Sequence, residues 1–172
     1  QGGLLEGIQL WVNLPKAFKM TAPRYQTLVD AEIPAVELDG GAGRVRVIAG
    51  EFRAVKGPAK TFSPVHLYDL RLKAGHRTEL NLPEGYNSSL FVLHGEVVMN
   101  GSQTVQEVEI ALFGQRGERV VLEAKQDATI LVLSGEPIAE PIARYGPFVM
   151  NTRDEIIQAV HDYQAGKMGH LL

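Results

Sequence analysis

Ile8-Gln9-Leu10-Trp11-Val12-Asn13-Leu14-Pro15 alternates with a period of two. Ile8, Leu10, Val12 and Leu14 fall on one face of an extended backbone, while Gln9, Trp11 and Asn13 fall on the other. Pro15 ends the pattern, because it has no N–H to give to a ladder. The spacing predicts a strand over 8–14. A strand this apolar needs neighbours on its edges and cover on its face. It begins close to a first residue that is not Met and reads as the continuation of something missing: either the remaining residues supply its neighbours and cover, or a segment that preceded Gln1 did.

Beyond it, short strand signals recur between Gly, Pro and Asn punctuation, with no helical periodicity until the end. The pattern predicts strands over 33–38, 44–51, 65–72, 89–93, 96–100, 105–113, 119–124 and 128–133. Such regular spacing is that of an all-β sandwich or barrel. Gly40-Gly41-Ala42-Gly43, Pro83-Glu84-Gly85-Tyr86-Asn87 and Asn100-Gly101 carry turn chemistry, and Gly95 marks a bend or bulge. The last segment differs in kind. Thr152-Arg153-Asp154-Glu155 is a capping box. Ile156, Ile157, Val160 and Tyr163 then recur at helical spacing, and Gly166 stands where a helix-ending glycine belongs. One amphipathic helix over 152–165 is expected.

Composition narrows the function classes. The 172 residues carry a net charge of −3 with both signs interspersed, which offers no basic stripe for nucleic acid or an anionic membrane. Cysteine is absent, which excludes disulfides, a thiolate nucleophile and thiolate metal ligands. The apolar runs are strand-sized, far below the roughly 18 residues of a membrane span. No positive n-region precedes a long apolar run, so a soluble, cytoplasmic protein is the expectation.

Two long stretches resemble a known family. Gly7 to Pro15, followed by Lys19-Met20-Thr21-Ala22-Pro23-Arg24-Tyr25-Gln26, is similar to the segment that joins the two halves of pirins. Gly135-Glu136-Pro137, Glu140-Pro141-Ile142 and Tyr145-Gly146-Pro147-Phe148-Val149-Met150-Asn151-Thr152 resemble the closing segment of the same family. The resemblance implies a bicupin, two jelly-roll-like β-barrels in tandem, of which this chain is the C-terminal half. It implies that residues 1–26 are a terminal strand and connector of the N-terminal cupin. It also implies that 27–150 form a cupin barrel without a metal site, and that 151–172 form a helix docking on the N-terminal cupin. In pirins the metal site, three histidines and a glutamate, belongs to the N-terminal barrel.

A metal-binding cupin carries G-x5-H-x-H-x3,4-E-x6-G. Gly75 and Gly95 fit that frame, but the ligand positions fall on Asn81, Pro83 and Ser88, or, counted with the shorter spacing, on Leu82, Glu84 and Ser88. The histidine of the second cupin motif falls on Ala128. No metal ligand and no cofactor-binding residue is expected in this chain. Among the five histidines, His66 reads as a structural residue, and His76, His161 and His170 as solvated or terminal ones. His94, at a bend, is a candidate polar pocket residue. Gln9 and Trp11 are substrate-pocket candidates through the resemblance alone, because their strand would border the metal-bearing barrel. The alternating Arg44 and Arg46 and the Glu107 and Glu109 pair read as solvated sheet surface.

Two functions follow from the resemblance. One is an Fe(II)- or other divalent-metal-dependent quercetin 2,3-dioxygenase, acting on a flavonol in the complete protein, with this chain inactive alone. The alternative is a non-enzymatic pirin-type regulator that binds a transcription factor or a metabolic enzyme.

Overall fold

Between Ala35 and Gly135 the period-two alternation closes into a two-sheet barrel, seen in a computed structural model that describes residues 2, 3 and 5–168. The strands are β1 (Ala35–Glu37), β2 (Gly43–Ala49), β3 (Glu51–Phe52), β4 (Val55–Lys56), β5 (Val65–Leu72), β6 (Arg77–Asn81) and β7 (Asn87–His94). They continue with β8 (Val97–Met99), β9 (Gln103–Val105), β10 (Ile110–Leu112), β11 (Arg119–Ala124), β12 (Ala128–Gly135), β13 (Ala143–Tyr145) and β14 (Phe148–Met150). One helix, α1 (Arg153–Gln164), follows. A six-stranded sheet runs β1-β2-β5-β12-β7-β10 and a four-stranded sheet runs β6-β11-β8-β9, with antiparallel pairing throughout.

The inward faces make one core. Val45 and Val47 of β2, Leu70 of β5, Leu90 and Val92 of β7 and Ile130 and Val132 of β12 are all fully buried. Val97 and Leu122 of the four-stranded sheet are buried in the same cluster. Asn100 and Gly101 have φ of 50° and 72°, and Ser102 N–H bonds Met99 O, which makes the two-residue turn with positive φ that Asn-Gly favours. At Gly95 the expected irregularity is a bulge. The β7–β12 register shifts between Thr129, opposite His94, and Ile130, opposite Val92, leaving Leu93 as the extra residue. Gly95 itself has φ of 87°, and a Cβ there would lie 2.4 Å from Asp127 O.

The chain divides into two units, Pro23–Pro137 with the barrel, and Gln1–Ala22 together with Ile138–Leu172. The compact barrel therefore ends at Pro137, and residues 138–150, which the sequence reading grouped with it, lie with the helix. In this second unit β13 and β14 form a hairpin against which α1 packs, with Phe148 and Tyr163 in edge contact at 6.1 Å. The capping box is present, with Glu155 N–H donating to Thr152 Oγ1 at 3.2 Å and Thr152 N–H donating to Glu155 Oε2 at 2.8 Å. Gly166 follows with φ of 71°. No helix among the described residues is long and apolar enough to cross a membrane.

Several expectations need correction. Residues 8–14 form no strand; the segment is irregular and runs into a short 3₁₀ turn at Lys16–Phe18. A strand exists only where its N–H and C=O groups find a ladder, and none of the described strands pairs with this one. The strand expected over 105–113 is two strands, because Val108 takes φ of 64° in the turn between β9 and β10. That turn, not a sheet face, holds Glu107 and Glu109. The sequence also hid β6, whose Arg-Thr-Glu-Leu-Asn offers only Thr78 and Leu80 to the core. On α1 the buried apolar residues are Ile156 and Ala159, whereas Ile157 and Tyr163 stay exposed.

Candidate functional site

The positions a metal-binding barrel would use are easily located. Asn81 ends β6, Pro83 lies in the β6–β7 loop, Ser88 points inward from β7, and Ala128 opens β12 as a buried methyl. Glu84 is already engaged, accepting Gly117 N–H at 3.1 Å. An amide, a pyrrolidine ring, a hydroxyl and a methyl group do not furnish the imidazole and carboxylate donors of a divalent metal. Among the described residues no group of three or more His, Cys, Asp or Glu side chains could hold a metal ion.

The Ser88 end of the barrel, opposite the one where Ala128 lies, holds a row of neutral polar groups. Ser134 stands directly between Ser88 of β7 and His66 of β5 in the ladder. Ser134 is buried, and its hydroxyl lies 2.8 Å from that of Ser88. His66 Nδ1 is 2.6 Å from Tyr68 Oη, which in turn donates to the Glu51 carbonyl at 2.6 Å. A phenol has one proton, and it is committed to Glu51, so His66 must donate from Nδ1 and is held as one tautomer. Burial lowers the pKa of His66 despite the opposing pull of Glu51. Burial likewise pushes the Tyr68 phenol up to about 12, with the Glu51 charge adding to it. The arrangement is a fixed, neutral hydrogen-bond relay, with Phe52 in edge contact with Tyr68 at 5.6 Å and Tyr86 tilted against His66 at 6.0 Å.

The other candidates are scattered. His94 sits at the far end of β7, six residues from Ser88, which is roughly 20 Å along a strand. Its Nδ1 lies 3.8 Å from Glu107 Oε2. His76 Nδ1 is 3.0 Å from Ala74 O in the β5–β6 turn, His161 is on α1, and His170 lies outside the described residues. Gln9 and Trp11 are in the unit that excludes the barrel, and Trp11 is 72% exposed. Arg46 is more engaged than a solvated surface residue, since it bridges Asp69 and Asp30 and keeps only 19% of its side chain exposed. Burial opposes ionisation of Asp69, but hydrogen bonds from Arg71 and Arg46 prevail and hold its pKa below the usual carboxylate value.

The two motifs that carry the resemblance meet in space. Lys16 N–H donates to Glu140 Oε2 at 2.8 Å, and Asn151 Nδ2 donates to the same oxygen at 2.9 Å and to Pro141 O at 3.0 Å. Lys19 Nζ joins Asn13 Oδ1 at 2.7 Å to Val149 O at 3.0 Å. Lys16 Nζ reaches Glu155 of the capping box at 3.1 Å. The tie of Lys16 to Glu140 was invisible in the sequence because 124 positions separate them.

Comparison with known proteins gives the same assignment. The Pirin C-terminal cupin domain matches residues 67–169. The chain belongs to the pirin family. This pirin chain is 50% identical over 166 residues to a Pseudomonas aeruginosa protein provisionally named a quercetin 2,3-dioxygenase, covering 96% of the chain and 58% of that relative. It is 38% identical over 168 residues to pirin of Mus musculus, covering 95% of the chain and 57% of the relative. A crystal structure of quercetin 2,3-dioxygenase from Acinetobacter baumannii superposes with a TM-score of 0.89 at 42% identity, covering 94% of the chain and 56% of that structure. The barrel is thus a cupin, and the chain spans little more than half the length of these relatives.

Proposed function

We propose that this chain is the metal-free C-terminal half of a pirin-type bicupin that works in the cytoplasm as a divalent-metal-dependent quercetin 2,3-dioxygenase. In this reading the N-terminal cupin would hold a divalent metal such as Fe(II), which would supply the oxidative chemistry for opening a flavonol ring with O₂. The observation that carries the reading is the pairing of a barrel whose ligand positions are Asn81, Pro83, Ser88 and Ala128 with relatives that are much longer and bear the dioxygenase name. The metal-free barrel supplies a rigid body, and the unit built from 1–22 and 138–172 supplies the docking surface. That unit suits the role because it has almost no core of its own: Ile156 and Ala159 are its buried apolar side chains among the described residues.

Gln9 and Trp11 are the side chains we place nearest to the metal-bearing cavity, and His94 is assigned a polar role at the barrel's edge. Oxygen uptake by the full-length, iron-loaded protein tests the activity. Consumption of O₂ with quercetin that is absent without metal supports it, and a flat trace with bound iron refutes the enzyme and leaves a regulatory protein. Gln9→Ala in the same assay is expected to reduce turnover, and unchanged turnover removes Gln9 from the site.

A further inference from the structure

At the Ser88 end of the barrel the β6–β7 loop, residues 82–86, and the β10–β11 loop, residues 113–118, enclose a cleft of about 230 Å³. The two loops are tied to each other. Leu82 N–H donates to Glu118 O at 2.7 Å, Gly85 N–H to Gln115 O at 2.9 Å and Gly117 N–H to Glu84 Oε1 at 3.1 Å. Walls held in this way are set before anything binds, which lowers the ordering cost of binding. The floor is apolar: Leu82 and Val120 are buried in the core, and Phe113 packs against it.

Above that floor the cleft has more hydrogen-bond donors than acceptors. Ser88 and Ser134 hold two hydroxyl protons between them, and their 2.8 Å contact uses one. Ser134 is 2% exposed and its hydroxyl bonds no other described residue, so its proton must go to Ser88 or stay unmatched in the core. Ser88, which lines the cleft, is then left with its own proton to give. Tyr86 leans on His66, and its hydroxyl bonds no described residue. Two guanidinium groups and one carboxylate, that of Glu118, complete the charged lining. Arg119 lies 3.5 Å from Glu79, whereas Arg116 has no ion pair among the described residues. Arg116 is therefore the charge left to meet a ligand, and a guanidinium fork matches a carboxylate in two parallel hydrogen bonds.

We propose that this cleft binds a compact monocarboxylate, whose charged end takes hydrogen bonds from Arg116 and Ser88 and whose apolar body lies on Leu82, Phe113 and Val120. At about 230 Å³ the cleft falls below the roughly 300 Å³ at which sites for drug-sized molecules begin, so it takes a one-ring or short-chain acid and not a flavonol. The inference is independent of the dioxygenase reading, because every residue it uses belongs to the barrel unit of Pro23–Pro137.

Titration of benzoate into isotope-labelled full-length protein, loaded with diamagnetic Zn(II) and followed by amide NMR, tests it. Saturable shifts at the amides of Gly114, Gly117 and Val120 are expected, with a Kd of about 1 mM or tighter. Benzamide has the same ring without the charge, and is expected to bind at least fivefold more weakly. Arg116→Gln is expected to weaken benzoate at least fivefold. Arg116 is an exposed loop residue, so the remaining amide spectrum of the variant should match the wild type and show that the barrel is intact. A smaller ratio in either comparison overturns the proposal. So does the lack of saturable shifts at the three amides, including the case in which benzoate shifts only amides elsewhere, as it would on binding the zinc.

Discussion

Replacing Tyr68 by Phe removes one oxygen from the relay at the barrel end and leaves the ring in place. Tyr68 is 2% exposed, and its hydroxyl accepts from His66 Nδ1 and donates to Glu51 O, each at 2.6 Å. The variant loses two hydrogen bonds whose net worth is about 1 kcal/mol each. His66 is half-buried and Glu51 exposed, so both freed groups can turn to water and little further desolvation penalty is added. The edge contact with Phe52 at 5.6 Å is retained, so no cavity cost enters. The expected loss is about 2 kcal/mol, or roughly 8 °C in the midpoint of a domain of this size. Urea denaturation followed by circular dichroism, with wild type and variant at pH 7.5, measures it. A loss below about 0.5 kcal/mol would refute the relay as a stabilising element.

Three further outcomes follow from the same geometry. His66 has its pKa lowered by burial from 6.5, so the unfolded chain takes up a proton at a pH where the folded one does not. Stability is then full above 6.5 and falls as the pH drops from 6.5 towards the lowered value; His66→Gln should flatten that slope, and an unchanged slope contradicts the assignment. Gly95→Ala places a Cβ 2.4 Å from Asp127 O at a φ of 87°, and a destabilisation of at least about 2 kcal/mol is expected; a neutral thermal midpoint would show that the bulge relaxes freely. Thr152→Ala removes the acceptor of Glu155 N–H and should cost the helix about 1 kcal/mol, read as faster amide exchange in its first turn, with unaltered exchange counting against the cap.

The barrel was legible because its code is local. Alternation in 65–72 and 119–124 gives β5 and β11 with their observed bounds, and the Thr152 capping box starts α1 where expected. Failures trace to partners that a sequence window does not contain. Residues 8–14 have a strand's pattern, but a pattern becomes a strand only through another chain segment's N–H and C=O groups. β6 buries just Thr78 and Leu80 and so carries little hydrophobic signal, although its register with β11 runs from Arg119 opposite Asn81 to Glu123 opposite Arg77. The tie of Lys16 and Asn151 through Glu140 needed coordinates. Arg46 likewise read as solvated because its partners, Asp30 and Asp69, lie on other segments.

Metal analysis of two purified samples tests the central claim most directly. Elemental analysis by inductively coupled plasma mass spectrometry, after dialysis against Fe(II) and removal of excess ion, should find about one metal per chain in the full-length protein. The same treatment of residues 1–172 should leave a content near zero, because the barrel offers no set of imidazoles and carboxylates where the ligands would stand. A stoichiometric ion on residues 1–172 alone would contradict the account.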